Sequence, residues 1–323
     1  MQNERDKKQN IVINAVPIAL FAFAGRALTV GRGSLVDGAA ATAVSLVLLP
    51  IAAISAGSVF DGRGFDARKS KAGKILYIFF SVFVAAVAFC LAAVSAKTFS
   101  AFAADVMFVR IPVWVITCIF LGFCAYLSGS GGAVIRKFCL IAFFAVSCAV
   151  LLLFLLSLPN FESVEVKELF EIKTVSADGV TSALGGIFAP AVIAIIYLSA
   201  TGRHGKGRVR PAEAILAVIL AAVLLFVCFL NVFLLLGAHF APTREYPYSE
   251  AVSTVTVGKL FARMEGFAYV TYYVSSAVKT AISVALVCLI IKDILPERQK
   301  NKRSIRLLPY AVSAAVGAFT VIL

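Results

Sequence analysis

Nine long apolar stretches, each of 17 to 25 residues, recur along this 323-residue chain. A helix needs about 20 apolar residues to cross the roughly 30 Å hydrocarbon core of a bilayer, so each stretch is long enough to span a membrane. We number them spans 1 to 9 in the order 11–30, 36–58, 76–96, 111–128, 138–158, 183–200, 214–238, 267–291 and 307–323. The sequence therefore predicts an all-α polytopic membrane protein with nine transmembrane helices, which form a single transmembrane domain over residues 1–323.

Composition excludes several other classes of protein. With 61% apolar residues, the chain has too little polar surface to cover a water-soluble globule. The basic residues that produce the net charge of +13 lie mainly in short loops between spans. We therefore predict that the chain is surrounded by a lipid bilayer and binds no nucleic acid. The seven cysteines form no C-x-x-C pair, and no G-x-S-x-G, H-E-x-x-H or Walker A motif occurs. We therefore predict no enzyme, no metal site and no cofactor.

The basic residues are divided unevenly between the two sides of the predicted bundle. Twenty of the 30 Lys and Arg residues lie before span 1 or in alternate loops on that side, whereas eight lie on the other side. Arg26 and Lys279 lie within spans. Because basic loops stay in the cytoplasm, we predict a cytoplasmic N-terminus and, after nine spans, a C-terminus outside.

Two spans carry helix-breaking residues in their interior. Span 1 contains Gly25 beside Arg26, and span 6 contains Gly185, Gly186 and Pro190. Proline removes a backbone donor and glycine weakens a helix, so spans 1 and 6 are predicted to be interrupted. An unwound stretch inside a membrane has to be buried in protein or line a cavity.

The two interrupted spans are five apart along the chain. Corresponding broken helices in two halves are typical of an inverted-repeat transporter with a ligand site at mid-membrane. On this pattern, residues 11–158 form a first five-helix repeat and residues 183–323 a second, incomplete repeat. The alternative is that glycine and proline are simply common in membrane helices.

Span 8 carries a polar stripe. Glu265, Tyr272 and Lys279 follow one another at intervals of seven residues, so they project from one face of a helix. Ionisable residues inside a membrane usually face the interior of the bundle or a water-filled cavity. Lys279 is thus predicted to face a ligand or water. The alternative is a lysine that is satisfied by a backbone carbonyl.

The region of span 8 also carries a distinctive set of spacings. A Tyr-Pro pair, an R-x-E, an aromatic residue seven positions after the Glu and a lysine seven further on occur at Tyr246, Pro247, Arg263, Glu265, Tyr272 and Lys279. The segment resembles the spore germination permeases, the B subunits of endospore germinant receptors, which belong to the amino acid–polyamine–organocation superfamily. That family has ten spans, so the tenth is absent from the nine predicted here.

The resemblance implies an amino acid permease-like bundle in which spans 1, 2, 6 and 7 form the core and spans 3 and 8 a scaffold. It also implies a receptor subunit in the inner membrane of the spore, which binds a small nutrient, most often an amino acid, and triggers germination. The implied partners are a membrane-anchored A subunit and a C-subunit lipoprotein. The ligand-binding residues would be Gly25, Gly185, Gly186, Pro190, Tyr272 and Lys279, with Arg263 and Glu265 as structural motif residues.

Two questions of function stay open at this point. The resemblance places Lys279 where sodium-coupled relatives hold a cation between spans 1 and 8, and a lysine there would make the protein sodium-independent. The same pocket would also serve a sodium-independent secondary transporter of amino acids or amines, and the sequence does not separate transport from sensing. A channel is disfavoured because no ring of charges or repeated pore motif is visible.

Overall fold

The fold consists of helices throughout the described part of the chain. A computed structural model describes residues 2–27, 35–60, 71–108, 110–160, 177–201, 209–255, 265–294 and 302–322. These residues form ten α-helices, which we number α1 Gln2–Arg26, α2 Leu35–Phe60, α3 Lys71–Phe102, α4 Val113–Gly129, α5 Gly132–Ser157, α6 Ala177–Thr201, α7 Pro211–Phe240, α8 Pro247–Thr254, α9 Glu265–Ile294 and α10 Lys302–Ile322.

Each of the nine predicted spans falls on one of these helices. Spans 1 to 7 correspond to α1 to α7, span 8 to α9 and span 9 to α10. Six helices (α2, α3, α5, α6, α7 and α9) are long and apolar enough to cross a membrane. The apolar parts of the other three are shorter, at Ile11–Arg26, Val113–Gly129 and Leu307–Val321. A multi-pass membrane protein is therefore confirmed, whereas a crossing by all nine helices stays a prediction.

The additional helix α8 was not predicted from the sequence. Its eight residues are too few to produce a recognisable apolar period, and it starts at Pro247, where the fixed φ of proline suits the first helical position. It packs against both α7 and α9.

Four helices, α1, α2, α6 and α7, pack together, and α9 packs between them and the remaining helices. Helices α1 and α2 each pack against both α6 and α7. Helix α9 packs against α1, α3, α4, α5 and α6, and 83% of its apolar window is buried, against 22% for α3. The helix with the most hydroxyls and the buried lysine is thus the central helix of the molecule.

The pattern of neighbours agrees with the predicted repeat. In the predicted repeat, α1, α2, α3 and α4 correspond to α6, α7, α9 and α10, respectively. The α1–α7 contact then corresponds to the α6–α2 contact, and the α3–α4 contact to the α9–α10 contact. All four contacts occur. The α3–α9 and α4–α10 contacts each correspond to themselves in the repeat, and both also occur. The inverted repeat itself, with its boundaries at 11–158 and 183–323, stays a prediction that this pairing supports.

The predicted interruption of span 6 is wrong. Helix α6 runs without a break from Ala177 to Thr201, through Gly185, Gly186 and Pro190. Membrane helices tolerate an internal proline because neighbouring helices and small local adjustments compensate for the lost hydrogen bond. The irregular helix is instead α7, where Gly237 has a φ of 79° and a ψ of 159°, a conformation open to glycine alone.

In span 1 the helix ends where the interruption was predicted. Helix α1 passes through Pro17 and ends at Arg26, the residue after Gly25. The rest of this span, residues 28–30, lies outside the described residues.

Candidate ligand site

Helices α1 and α6 touch through their backbones at two glycines. A Cβ atom added to Gly25 would collide with the carbonyl oxygen of Gly186 and would lie 2.8 Å from Cγ of Pro190. A Cβ atom added to Gly186 would lie 3.3 Å from the carbonyl oxygen of Gly25. We call this contact of Gly25, Gly186 and Pro190 the glycine crossing. The residues that were predicted to unwind their helices act instead by allowing two helices to approach closely.

Gly185 is not part of the glycine crossing. It is exposed, and a Cβ atom added to it would meet no atom within 4 Å. Because adjacent residues of a helix point about 100° apart, only one of two neighbouring glycines can face α1. The structure thus brings three of the four predicted break residues together and separates the fourth.

Charged side chains join three helices beside the glycine crossing. The Arg26 side chain covers Gly186, with Cδ 3.3 Å from the position of a Cβ there, and Nη1 donates a hydrogen bond of 3.4 Å to Oγ of Ser182. The Arg26 guanidinium also interacts electrostatically with Asp37 of α2, whose side chain is 5% exposed. Asp37 in turn lies against Gly179 of α6, where it fills the space of a missing side chain.

Asp37 was not singled out in the sequence. The available signal was an acidic residue in the first turn of a predicted span, eleven positions after an unusual arginine. A charge inside an otherwise apolar span needs a partner, and Arg26 is the basic residue that lies within the preceding predicted span.

Lys279 lies at the middle of α9 and is 8% exposed. Hydroxyl groups surround it along the helix, since Ser276, Thr280 and Ser283 are buried too. The hydroxyls of Thr280 and Ser283 have no hydrogen-bond partner among the described residues, and no described carboxylate forms an ion pair with the lysine. The helix that carries Lys279 contacts both α1 and α6, the two helices of the glycine crossing.

Tyr272 belongs to a cluster of aromatic rings. It is fully buried, and its ring lies edge-on to Phe102 at 4.8 Å and to Tyr248 at 5.9 Å. Tyr246, of the Tyr-Pro pair, packs edge-on to the same Phe102 at 5.0 Å. Tyr246 and Tyr272, two residues of the span 8 pattern, therefore both contact Phe102 of α3. The Tyr272 hydroxyl forms no hydrogen bond of standard geometry with a described residue.

The R-x-E pair is only partly described. Glu265 begins α9, and its carboxylate accepts a hydrogen bond of 3.0 Å from the Tyr269 hydroxyl one turn later. Arg263 lies outside the described residues. The structure thus assigns Glu265 a role at the start of α9 and no contact with the glycine crossing.

A second polar contact that the sequence analysis missed connects α1 to α7. Asn14 Nδ2 donates a hydrogen bond of 3.1 Å to the Glu213 carboxylate, which also accepts one of 3.0 Å from the backbone N–H of Arg210. The second bond is part of a capping box at the start of α7, and its signal was present in the sequence as Pro211 followed by Glu213. Both Asn14 and Glu213 are buried.

We expect Glu213→Ala to destabilise the protein. The substitution leaves the buried amide of Asn14 and the half-buried N–H of Arg210 without their acceptor, which costs about 1–3 kcal/mol. The matched control is Glu250→Ala, because Glu250 also lies in the first turn of a helix but forms an exposed ion pair with Arg244 at 3.3 Å. That pair is worth about 0–1 kcal/mol. Thermal unfolding of both variants in detergent measures the difference, and equal midpoints would contradict the assigned role of Glu213.

Comparison with known protein families gives a match that covers most of the chain. The family model for the spore permeases, described as spore germination proteins, matches residues 44–322. The chain belongs to the spore germination permease family. This match confirms the resemblance that the span 8 spacing indicated. No individually curated protein matches the chain.

The matched region of this germination permease begins within α2, so it contains α6, α9 and Lys279 but not Gly25 and Arg26 of α1. The family is one of membrane permeases and receptors and not of enzymes. Among the described residues, no group of three or more His, Cys, Asp or Glu side chains could hold a metal ion.

Proposed function

We propose that this germination permease is the nutrient-binding subunit of a germinant receptor, and that it binds a small amino acid beside the glycine crossing. The observation that carries the proposal is the pairing of Arg26 with Asp37 at that crossing in a chain of this family. A zwitterionic amino acid offers a carboxylate to the guanidinium and an ammonium group to the aspartate. The ligand would insert between two side chains that neutralise each other in its absence.

Binding of the ligand would affect the contacts among three helices. Arg26 lies at the end of α1, Asp37 at the start of α2, and both contact α6 through Ser182 and Gly179. Separating the two charges by a ligand would change how the ends of α1 and α2 are held against α6. The contacts of α1 and α2 with α6 would then differ between the empty and the bound state. A ligand can drive a conformational change only if its interactions differ between the two states.

In this proposal, Lys279 replaces the cation that sodium-coupled relatives hold between spans 1 and 8. The packing of α9 against α1 supports this position. The partners would be a membrane-anchored A subunit and a C-subunit lipoprotein in the inner membrane of the spore. The charge distribution supports a cytoplasmic N-terminus and a C-terminus on the other side.

The test uses the purified full-length protein and a panel of free amino acids. We expect at least one of them to raise the unfolding temperature, while its methyl ester and its N-acetyl derivative, each lacking one charge, do not. Arg26→Met should abolish the shift, and Arg244→Met, which removes an exposed arginine of an ion pair, should leave it unchanged. If the ester and the N-acetyl derivative raised the unfolding temperature as much as the free amino acid does, that result would contradict recognition by Arg26 and Asp37.

A second function, sodium-independent transport of amino acids or amines, is favoured by one observation. A buried lysine without a described acidic partner is suited to take up and release a proton as a site alternates between two sides. Uptake of the stabilising amino acid into proteoliposomes that contain this chain alone would establish transport. Binding without uptake would favour the receptor.

A further inference from the structure

A large apolar groove is formed by helices that take no part in the glycine crossing. It has a volume of about 820 Å³ and is lined by α3, α4 and α10. Helices α4 and α10 run antiparallel along it, since Pro309 contacts Gly129 and Leu121 lies 3.1 Å from the position of a Cβ on Gly317. The groove exists because small residues on both helices leave space between them, among them Gly122, Ala125, Ala314 and Ala318.

One end of the groove carries a positive charge. Lys97 of α3 lines this end and is exposed, and no described carboxylate pairs with it. Trp114 also lines the groove, at the start of α4, and is 65% exposed. Because Lys97 lies in the last two turns of α3 and α4 is the next helix along the chain, Lys97 and Trp114 lie towards the same side of the membrane. Tryptophan is enriched at the interface between lipid and water, and lysine near a helix end reaches towards it. This end of the groove therefore lies at the level of the lipid headgroups.

The rest of the groove offers a ligand almost no polar group. Thr117 and Thr320 donate their hydroxyl hydrogens to carbonyl oxygens of their own helices, at 2.9 and 2.7 Å. Ser313 is buried, and its hydroxyl has no partner among the described residues. A ligand that fills this space must be apolar along most of its length and negatively charged at one end.

The length of the groove fits a lipid chain. The lining of α4 extends from Val113 to Ala125, a rise of about 18 Å, which is slightly more than half of the roughly 30 Å hydrocarbon core. A lipid chain from one leaflet reaches this depth and is much narrower than a helix.

We propose that the groove between α3, α4 and α10 binds one anionic phospholipid, with its headgroup phosphate at Lys97 and an acyl chain along α4 and α10. Basic side chains at the mouths of such grooves are a recognised means of holding anionic headgroups. On the charge-based orientation, Lys97 lies in the outer leaflet. The bound lipid would connect α10 to α3 and α4 without involving the proposed amino acid site.

The test measures lipid that remains on the purified full-length protein after exchange from mixed phosphatidylglycerol and phosphatidylcholine micelles, counted by native mass spectrometry. We expect the wild type to retain phosphatidylglycerol in preference to phosphatidylcholine. Gly122→Leu should reduce retention at least tenfold, because a Cβ there meets no atom within 4 Å and the leucine would extend into the groove. Lys97→Gln should abolish the preference between the two lipids.

Controls distinguish this groove from the general lipid-facing surface. Ala145→Leu adds three of the four carbon atoms that Gly122→Leu adds, at an exposed position of α5, and Lys137→Gln removes an exposed lysine of α5, so neither should change retention. Should Gly122→Leu not be recovered, Ala314→Leu fills the groove from the opposite helix. Equal retention by the groove variants and the wild type would overturn the proposal, as would crosslinking of Gly122→Cys to a protein segment in place of lipid.

Discussion

Gly25→Ala should destabilise the protein more than the same substitution at either glycine of α6 nearby, Gly185 or Gly186. The new Cβ would collide with the Gly186 carbonyl oxygen and press on the Pro190 ring. Neither a backbone carbonyl nor a proline ring can rotate away, so α1 and α6 have to move apart. Overpacking of this kind costs about 1–3 kcal/mol and occasionally more. We expect a lower unfolding temperature in detergent and less protein in the membrane.

The other glycines of the same region provide the controls. Gly186→Ala should have a smaller effect, because its Cβ would lie 3.3 Å from the Gly25 carbonyl oxygen and from Cδ of the flexible Arg26 side chain. Gly185→Ala should be neutral or slightly stabilising, since its Cβ meets nothing and alanine favours a helix by up to about 1 kcal/mol over glycine. Any other order of the three unfolding temperatures would contradict the glycine crossing.

This order could not have been derived from the sequence. Apolar length identified where the helices are, because it depends only on the composition of consecutive residues. Apolar length does not determine which side of α6 faces α1. Without that direction, the sequence offers little to distinguish Gly185 from Gly186. Pro190 follows Gly186 by four residues and therefore lies on the same face. Once the facing direction is known, that spacing explains why Gly186 and Pro190 both meet Gly25.

Three residues predicted for the ligand site, Gly25, Gly186 and Pro190, lie together for a physical reason other than the one predicted. Glycine and proline were interpreted as breaks, but in α6 their effect is on the distance between helices and not on the path of one helix. Asp37 was missed because its partner Arg26 lies on another helix, and pairing between helices leaves no periodic pattern in a sequence. Lys279 was identified because a charge in the middle of an apolar span is conspicuous without any knowledge of packing.

The burial of Lys279 leads to the second large effect that we expect. Replacing it with methionine should abolish the germination response of spores, measured as the loss of optical density after nutrient is added. Methionine retains most of the volume and removes the charge, and replacing a buried charge with an apolar side chain is often neutral or stabilising for folding. The Lys279→Met protein should therefore be present in the membrane at the normal level while it no longer responds.

Two further variants and a change of salt separate the charge of Lys279 from its packing. Lys279→Arg keeps the charge in a bulkier, planar group and should respond partially, because a side chain that is 8% exposed has little room for a larger one. Lys292→Met, in the last turn of the same helix, should respond normally. If the ammonium group replaces a bound cation, the wild-type response should be equal in sodium and potassium salts at the same ionic strength. Strict dependence on sodium, or a full response from Lys279→Met, would contradict that role, since either result requires the cation site to function without the lysine.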